Sequence, residues 1–274
     1  MAIHLVAIDL DGTLLNSGKQ ITETTAAILR TAIDTRGVKV VLASARPPRS
    51  VQPFYSLLQL DTPMINYNGA LVHEPATGRV LLHRPLALKI ARQIVALARR
   101  MEPDVLVSAE IMDKWYTDRV DQAYLTATAR LFAPDYVAAI GEWLVEDVTK
   151  LMLAGPAEEM TPLVAEIRRR LVHQVTVVQT EGELIQITHP TASKSQALRV
   201  VAAELHVRRE EVMAIGDNAN DVGMLQWAGV GVAMANASPE ALAVADVVTD
   251  HHDADGAAHA IRRLIIEGGP GKGR

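Results

Sequence analysis

The sequence predicts an α/β protein: a doubly wound core with a mainly parallel sheet, built from both ends of the chain and interrupted by an inserted α+β domain. Three observations predict this. Short apolar runs alternate with helical patterns near the N-terminus, the same alternation returns in the last third, and the middle lacks it.

The elements follow in order. Ile3 to Ile8 is an apolar run, and Thr22 to Thr35 a helical pattern with Ile28, Leu29, Ala32 and Ile33 on one face. Gly37 closes that helix, and Val38 to Ala43 is a second apolar run. This β-α-β spacing predicts parallel strands with a helix packed on them. A helix over Ser50 to Gln59 and a strand at Met64 to Asn66 extend it. Ala70 to Val72 and Val80 to His83 flank a turn at Pro75 to Gly78, a hairpin signal.

In the middle, Leu86 to Arg100 is an amphipathic helical pattern and Ala157 to Leu171 another. Val105 to Ser108, Lys114 to Thr117, Lys150 to Ala154, Val175 to Gln179 and Leu184 to Thr188 are predicted strands. The late region resumes alternation. Helices are expected over Lys194 to Leu205, Asp221 to Trp227 and Pro239 to Ala245, with strands at Val212 to Ile215, Val230 to Ala233 and Val247 to Val248. Asp255 is expected to cap a last helix running through Ile266. The boundaries this implies are a core domain of residues 1–83 and 189–274 and an inserted domain of residues 84–188. The tail from Gly268 to Arg274 is glycine-rich. It lacks a Ser or Thr after Lys272, so disorder is expected there and a phosphate-binding loop is not.

Composition narrows the function classes. The 274 residues are 49% hydrophobic and 22% charged, enough for a sizeable core. A net charge of −5 with both signs interspersed argues against a nucleic-acid surface. With no cysteine, disulfides, thiolate metal sites and cysteine nucleophiles are excluded. No apolar run approaches the roughly 20 residues a membrane helix needs, and the N-terminal residues lack a signal-peptide pattern. A soluble cytoplasmic protein, monomeric or a small homo-oligomer, is expected.

Three strand patterns run directly into a polar residue: Leu5 to Ile8 into Asp9, Val40 to Ala43 into Ser44, and Val212 to Gly216 into Asp217. In open parallel sheets ligands bind beyond the carboxyl ends of strands, so these residues are expected together on one edge. Asp9 and Asp11 are two apart and, in extended chain, point the same way. With Asp217 and Asp221 they would put four carboxylates in one crevice, which calls for a compensating cation. Oxygen-only ligands suit Mg²⁺ and disfavour zinc.

The run Asp9-Leu10-Asp11-Gly12-Thr13 resembles the DxDGT signature of the haloacid dehalogenase (HAD) superfamily. Ser44 within Leu42 to Pro47 resembles its second motif, Lys194 in Ala192-Ser193-Lys194 its third, and Gly216 to Asp221 its fourth, GDxxND. Asn66 to Ala70 and Gly231 to Ala237 are similar to the Cof-type subfamily. The resemblance spans essentially the whole chain and implies a HAD-like Rossmannoid core with a large inserted cap. It also implies roles. Asp9 would be the nucleophile, Asp11 the general acid and base, and Mg²⁺ would be held by Asp9, the Asp11 carbonyl and Asp217. Ser44 and Lys194 would hold the phosphoryl group, with Asn220, Asn68 and Arg46 as further phosphate contacts and Arg46 equally suited to a structural salt bridge. Asp221 would orient Lys194 or a metal-bound water.

The activity so implied is magnesium-dependent hydrolysis of small phosphorylated metabolites, sugar phosphates or similar, through a phosphoaspartate. A phosphotransferase or phosphomutase, or a phosphometabolite-binding regulator without turnover, are the alternatives. Three departures from the family pattern bear on loop geometry: Ala45, Ser195 and Ala235 stand where glycine is usual. Elsewhere, His251, His252 and His259 lie among Asp250, Asp253 and Asp255. Their spacing fits neither a calcium loop nor a helical His pair, so a solvated loop is expected.

Overall fold

A computed structural model of the chain describes residues 2–126, 128–180 and 182–268; the tail expectation therefore lies, from residue 269 onward, outside the described residues. The chain divides into two compact units, Met1–Leu82 with Ser193–Arg274, and His83–Ala192.

In the first unit the chain runs β1 (Leu5–Ile8), α1 (Glu23–Arg36), β2 (Lys39–Leu42), α2 (Pro48–Leu57), β3 (Met64–Asn66), β4 (Leu71–His73) and β5 (Val80–His83). The second unit holds α3 (Leu88–Met101), β6 (Leu106–Ile111), β7 (Lys114–Thr117), β8 (Tyr136–Val137), α4 (Ile140–Trp143), β9 (Lys150–Ala154), α5 (Ala157–Arg170), β10 (Thr176–Thr180) and β11 (Leu184–Thr188). The first unit then resumes with α6 (Lys194–Glu204), β12 (Val212–Gly216), α7 (Val222–Trp227), β13 (Val230–Ala233), α8 (Pro239–Val244), β14 (Val247–Val248) and α9 (Gly256–Ile261).

Among the described residues one sheet has the order β14-β13-β12-β1-β2, every pairing parallel. Alternation along β1 shows why helices must cover both faces. Val6 and Ile8 pack in one buried cluster with Ile28, Leu29, Val51 and Ile261, from α1, α2 and α9. Leu5 and Ala7 pack in another with Leu198, Leu225 and Ala241, from α6, α7 and α8. Both faces of the strand are dry, which explains its unbroken apolar sequence.

Helix starts and stops follow local chemistry. Thr22 caps α1 by accepting the Thr25 N–H at 3.0 Å, and Gly37 ends it in left-handed backbone at φ 64°. Ser193 caps α6, accepting the Gln196 N–H at 3.2 Å. Asp255 departs from expectation. It stands before α9 in left-handed backbone and makes no side-chain cap there. Its carboxylate turns to α1 instead, accepting the hydroxyls of Thr22 and Thr25 at 2.5 and 2.8 Å. The last helix also breaks from α-type into wider π-type turns over Arg262–Ile266.

β3 was expected to extend the parallel sheet. It touches β2 through a single parallel bridge, Ala43 to Ile65, and belongs to an antiparallel ribbon with β4 and β5. In the second unit the sheet order is β10-β11-β9-β6-β7-β8. Val107, Ala109, Leu151, Leu153, Ile185 and Ile187 face the apolar side of α3 and α5. Helices cover that one face, and the strand pairs run antiparallel except β7 with β8, an α+β arrangement. Tyr116 of β7 stacks on Trp143 with ring centroids 6.2 Å apart. No helix among the described residues is long and apolar enough to cross a membrane.

Candidate active site

β1, β2 and β12 are neighbours in parallel register, with Ile8 opposite both Leu42 and Ile215. Their carboxyl ends therefore deliver Asp9, Ser44 and Asp217 to one edge, the crevice where such sheets bind ligands. Lys194 reaches the same place from the first residue of α6.

Lys194 is fully buried, and its ammonium bridges Asp9 Oδ1 at 2.5 Å and Asp221 Oδ1 at 2.7 Å. The other Asp221 oxygen accepts the backbone N–H groups of Asp217 and Asn218, both at 3.1 Å. Asp221 thus ties the lysine to the loop that carries Asp217. Thr13 donates its hydroxyl to Asp217 Oδ1 at 3.2 Å. Carboxylate oxygens of Asp9, Asp217 and Asp221 lie within 4.8 Å of one another.

The electrostatics reflect this crowding. Burial, and then the neighbouring carboxylate of Asp221, push the Asp9 carboxyl upward against the pull of Lys194. Asp217 is pushed up to about 6, again by burial and then by Asp221. Burial opposes the charged form of Lys194, but Asp221 and Asp9 outweigh it and hold the ammonium protonated. Both carboxyls are raised mainly by burial, so a cation that offsets their charge would favour the ionised forms. The donor set is oxygen alone, which fits a hard divalent cation and not zinc.

Asp11 departs from the expected four-carboxylate crevice. The strand ends at Ile8 and the chain curls, with the N–H groups of Leu14 and Leu15 bonded to the Leu10 carbonyl at 3.1 and 2.9 Å. The Asp11 carboxylate is not part of the three-Asp cluster, although its charge still helps raise the pKa of Asp217. It accepts Arg46 Nε and Nη2 at 2.7 and 2.6 Å and Lys19 Nζ at 2.8 Å. Burial would raise its pKa, but these two cations outweigh burial and lower it. Much of the compensation assigned to a metal ion thus comes from the chain's own Lys194, Arg46 and Lys19.

Ser44 is buried, and its oxygen accepts the Arg46 N–H at 3.1 Å, which leaves the hydroxyl proton to be donated elsewhere. Arg46, expected among the phosphate contacts, is taken up by Asp11, the salt-bridge alternative. Asn220 donates to Asn68 Oδ1 at 2.9 Å, so these two residues join the fourth-motif loop to the turn after β3. That turn is strained: Tyr67 and Asn68 have φ of 52° and 55°. The glycine departures are accommodated. Ala45 and Ala235 are not among the residues with positive φ, so neither position demands glycine. Ser195 packs on Gly223, where an added Cβ would sit 3.0 Å from the serine oxygen. Lys19 was not singled out from sequence, and Thr13 and Asn236, whose amide donates to the Gly12 carbonyl at 2.8 Å, were read only as parts of motifs with no role of their own.

Comparison with known proteins gives the family. Residues 6–261 match the family model of haloacid dehalogenase-like hydrolases. The Bacillus subtilis protein YxeH is 33% identical over 269 residues, covering 96% of this chain and 98% of its own. The 5-amino-6-(5-phospho-D-ribitylamino)uracil phosphatase YitU of the same organism is 31% identical over 271 residues, with 96% and 97% covered. A haloacid dehalogenase-like hydrolase from Bacteroides thetaiotaomicron superposes with a TM-score of 0.87 at 28% identity, over 96% of this chain and 100% of that one. The chain belongs to the haloacid dehalogenase-like hydrolases.

Proposed function

We propose that this HAD-type phosphatase hydrolyses small phosphorylated metabolites, sugar phosphates or similar, with Asp9 as nucleophile and Mg²⁺ as cofactor. The observation that carries the reading is the contact of buried Lys194 with Asp9, beside Asp217 at the ends of adjacent strands. YitU, whose name specifies a phosphorylated ribityl compound, supports the substrate class.

In this reading the Asp9 oxygen not held by Lys194 attacks phosphorus. The bond from phosphorus to the ester oxygen breaks, and Asp11 gives that oxygen a proton, which it must first take up against the pull of Arg46 and Lys19. Water then attacks the aspartyl phosphate, Asp11 takes its proton, and phosphate leaves with Asp9 restored. Lys194 pulls Asp9 toward its ionised form against burial and offsets phosphoryl charge, while Ser44 donates its hydroxyl to a phosphoryl oxygen. Asp9, Asp217 and the Asp11 carbonyl would hold Mg²⁺, which supplies charge neutralisation between carboxylate and phosphate dianion. Residues 84–188 act as the cap that selects the organic part of the substrate, and the protein works in the cytoplasm.

The test is a phosphate-release screen over phosphorylated metabolites with Mg²⁺. Wild type should release phosphate from some of them. Asp9→Asn should release none while keeping its circular dichroism, and exhaustive chelation should stop wild-type turnover until Mg²⁺ is restored. Turnover by Asp9→Asn, or full activity after chelation, would overturn the nucleophile or the metal.

A further inference from the structure

The histidine-rich segment before α9 was expected to be a plain solvated loop, but its side chains converge. His251 Nδ1 lies 3.7 Å and His252 Nε2 3.6 Å from one oxygen of Asp253, Oδ2. The two rings meet edge-on with centroids 4.3 Å apart. One potential ligand atom from each of the three residues falls within 4.8 Å of the others. Ligand atoms around a tetrahedral zinc at about 2.0–2.1 Å stand about 3.3 Å apart, so small side-chain adjustments would close the set on an ion.

The groups are also prepared chemically. His251 Nδ1 accepts the Asp253 N–H at 3.2 Å, so this nitrogen carries no proton, and an ion bound there would replace that hydrogen bond. His252 Nδ1 is enclosed with no partner among the described residues, leaving Nε2, on the Asp253 side, as the ring's polar handle. Asp253 is fixed from behind, its two oxygens accepting the Ser17 N–H and Ser17 hydroxyl, each at 2.7 Å. Such outer hydrogen bonds orient a ligating carboxylate. His259 takes no part, being bonded to Asp250 at 2.7 Å.

We propose that His251, His252 and Asp253 form a site for one zinc-type cation, separate from the carboxylate cluster of Asp9 and Asp217. Two imidazoles and a carboxylate select zinc, nickel or cobalt over Mg²⁺, whereas the oxygen-only cluster does the reverse. A bound ion would brace the loop after β1 by two routes. Ser17 sits in that loop, two residues before the Lys19 that contacts Asp11. Asn236 accepts the His252 N–H at 3.1 Å while donating to the Gly12 carbonyl.

The experiment is zinc loading of stripped full-length protein in excess Mg²⁺, followed by gel filtration and metal analysis. Wild type should retain about one zinc, and Asp9→Asn/Asp217→Asn should retain the same. His251→Ala and His252→Gln should each bind zinc at least tenfold more weakly, with circular dichroism unchanged. Zinc should raise the melting temperature of wild type and not of the His251→Ala variant. Equal zinc content in the histidine variants, zinc lost with the Asp9/Asp217 pair, or no zinc retained by wild type would each overturn the proposal.

Discussion

Arg46 clasps both oxygens of Asp11, Nε at 2.7 Å from Oδ2 and Nη2 at 2.6 Å from Oδ1. A fork of this kind fixes direction as well as charge, and lysine cannot reproduce it. If Asp11 shuttles the proton, its aim matters more than its neighbour's charge. Arg46→Lys should therefore lower kcat about tenfold with little change in KM. Steady-state kinetics decide the matter. A rise in KM at constant kcat would move Arg46 from Asp11 to the substrate phosphate.

Asp11 itself can be tested through the leaving group. p-Nitrophenolate departs without a proton, whereas a sugar alkoxide needs one. Asp11→Asn should slow formation of the aspartyl phosphate from a sugar phosphate by roughly 10²–10⁴-fold and from p-nitrophenyl phosphate far less. Rapid-quench measurement of the first step separates the two. Equal losses on both substrates would remove Asp11 from the acid role.

Lys194 is wholly buried between Asp9 and Asp221. Removing one member of a buried ionic network leaves the others uncompensated, at a cost of about 3–5 kcal/mol. Lys194→Met should lower the melting temperature by about 10 °C as well as abolish turnover. Adding Asp221→Asn to it should recover part of the stability and none of the activity. A Lys194→Met protein melting like wild type would show that the network is not coupled as its distances indicate.

How far the sequence reveals this site depends on which residues are tied to repeating structure. Asp9, Ser44 and Asp217 were legible because each ends an apolar strand run, and sheet topology then brings strand ends together. Lys194 was legible only through the resemblance of Ala192-Ser193-Lys194 to the family's third motif. Lys19 was not. It lies in the Asn16-Ser17-Gly18 turn with φ 58°, where no periodicity operates, and only tertiary folding carries it to Asp11. Asp255 misled for a related reason: an acidic residue before a helix suits a cap, but the Thr22 and Thr25 hydroxyls offered its carboxylate better partners. The bend at Asp11 escaped because a two-residue spacing implies a shared direction only while the strand continues, and it stops at Ile8.

Asp217 makes stability depend on pH in a way that metal should reverse. Its carboxyl is raised from 3.8 to about 6, by burial and then by Asp221. The native state then binds more protons than the unfolded chain between those values, so this contribution is complete below pH 3.8 and is lost as pH rises through 6. Discounted for partial exposure, the loss is on the order of 1 kcal/mol. In chelator, Asp217→Asn should raise the melting temperature at pH 8 by about 2–4 °C and change little at low pH. With Mg²⁺ present the same substitution should remove the metal's stabilisation. A destabilised Asp217→Asn protein in chelator at pH 8 would contradict the raised pKa.

Gly69 joins the strained turn after β3 to the start of the Lys194 helix. Its φ is 92°, and an added Cβ would lie 2.2 Å from the carbonyl oxygen of Ser193, the cap of α6. Gly37 is the natural control, since its φ of 64° is also left-handed but nothing lies within 4 Å of its added Cβ. Gly37→Ala should cost only the conformational penalty, about 1–2 kcal/mol, and leave kcat unchanged. Gly69→Ala must add a clash with backbone that can be relieved only by shifting the turn or the helix. It should lose more stability than Gly37→Ala and also lower kcat, because displacing Ser193 moves Lys194 off Asp9. Parallel melting curves and kinetics on the two variants check this, and equal effects would show that the close approach at Ser193 does not position the lysine.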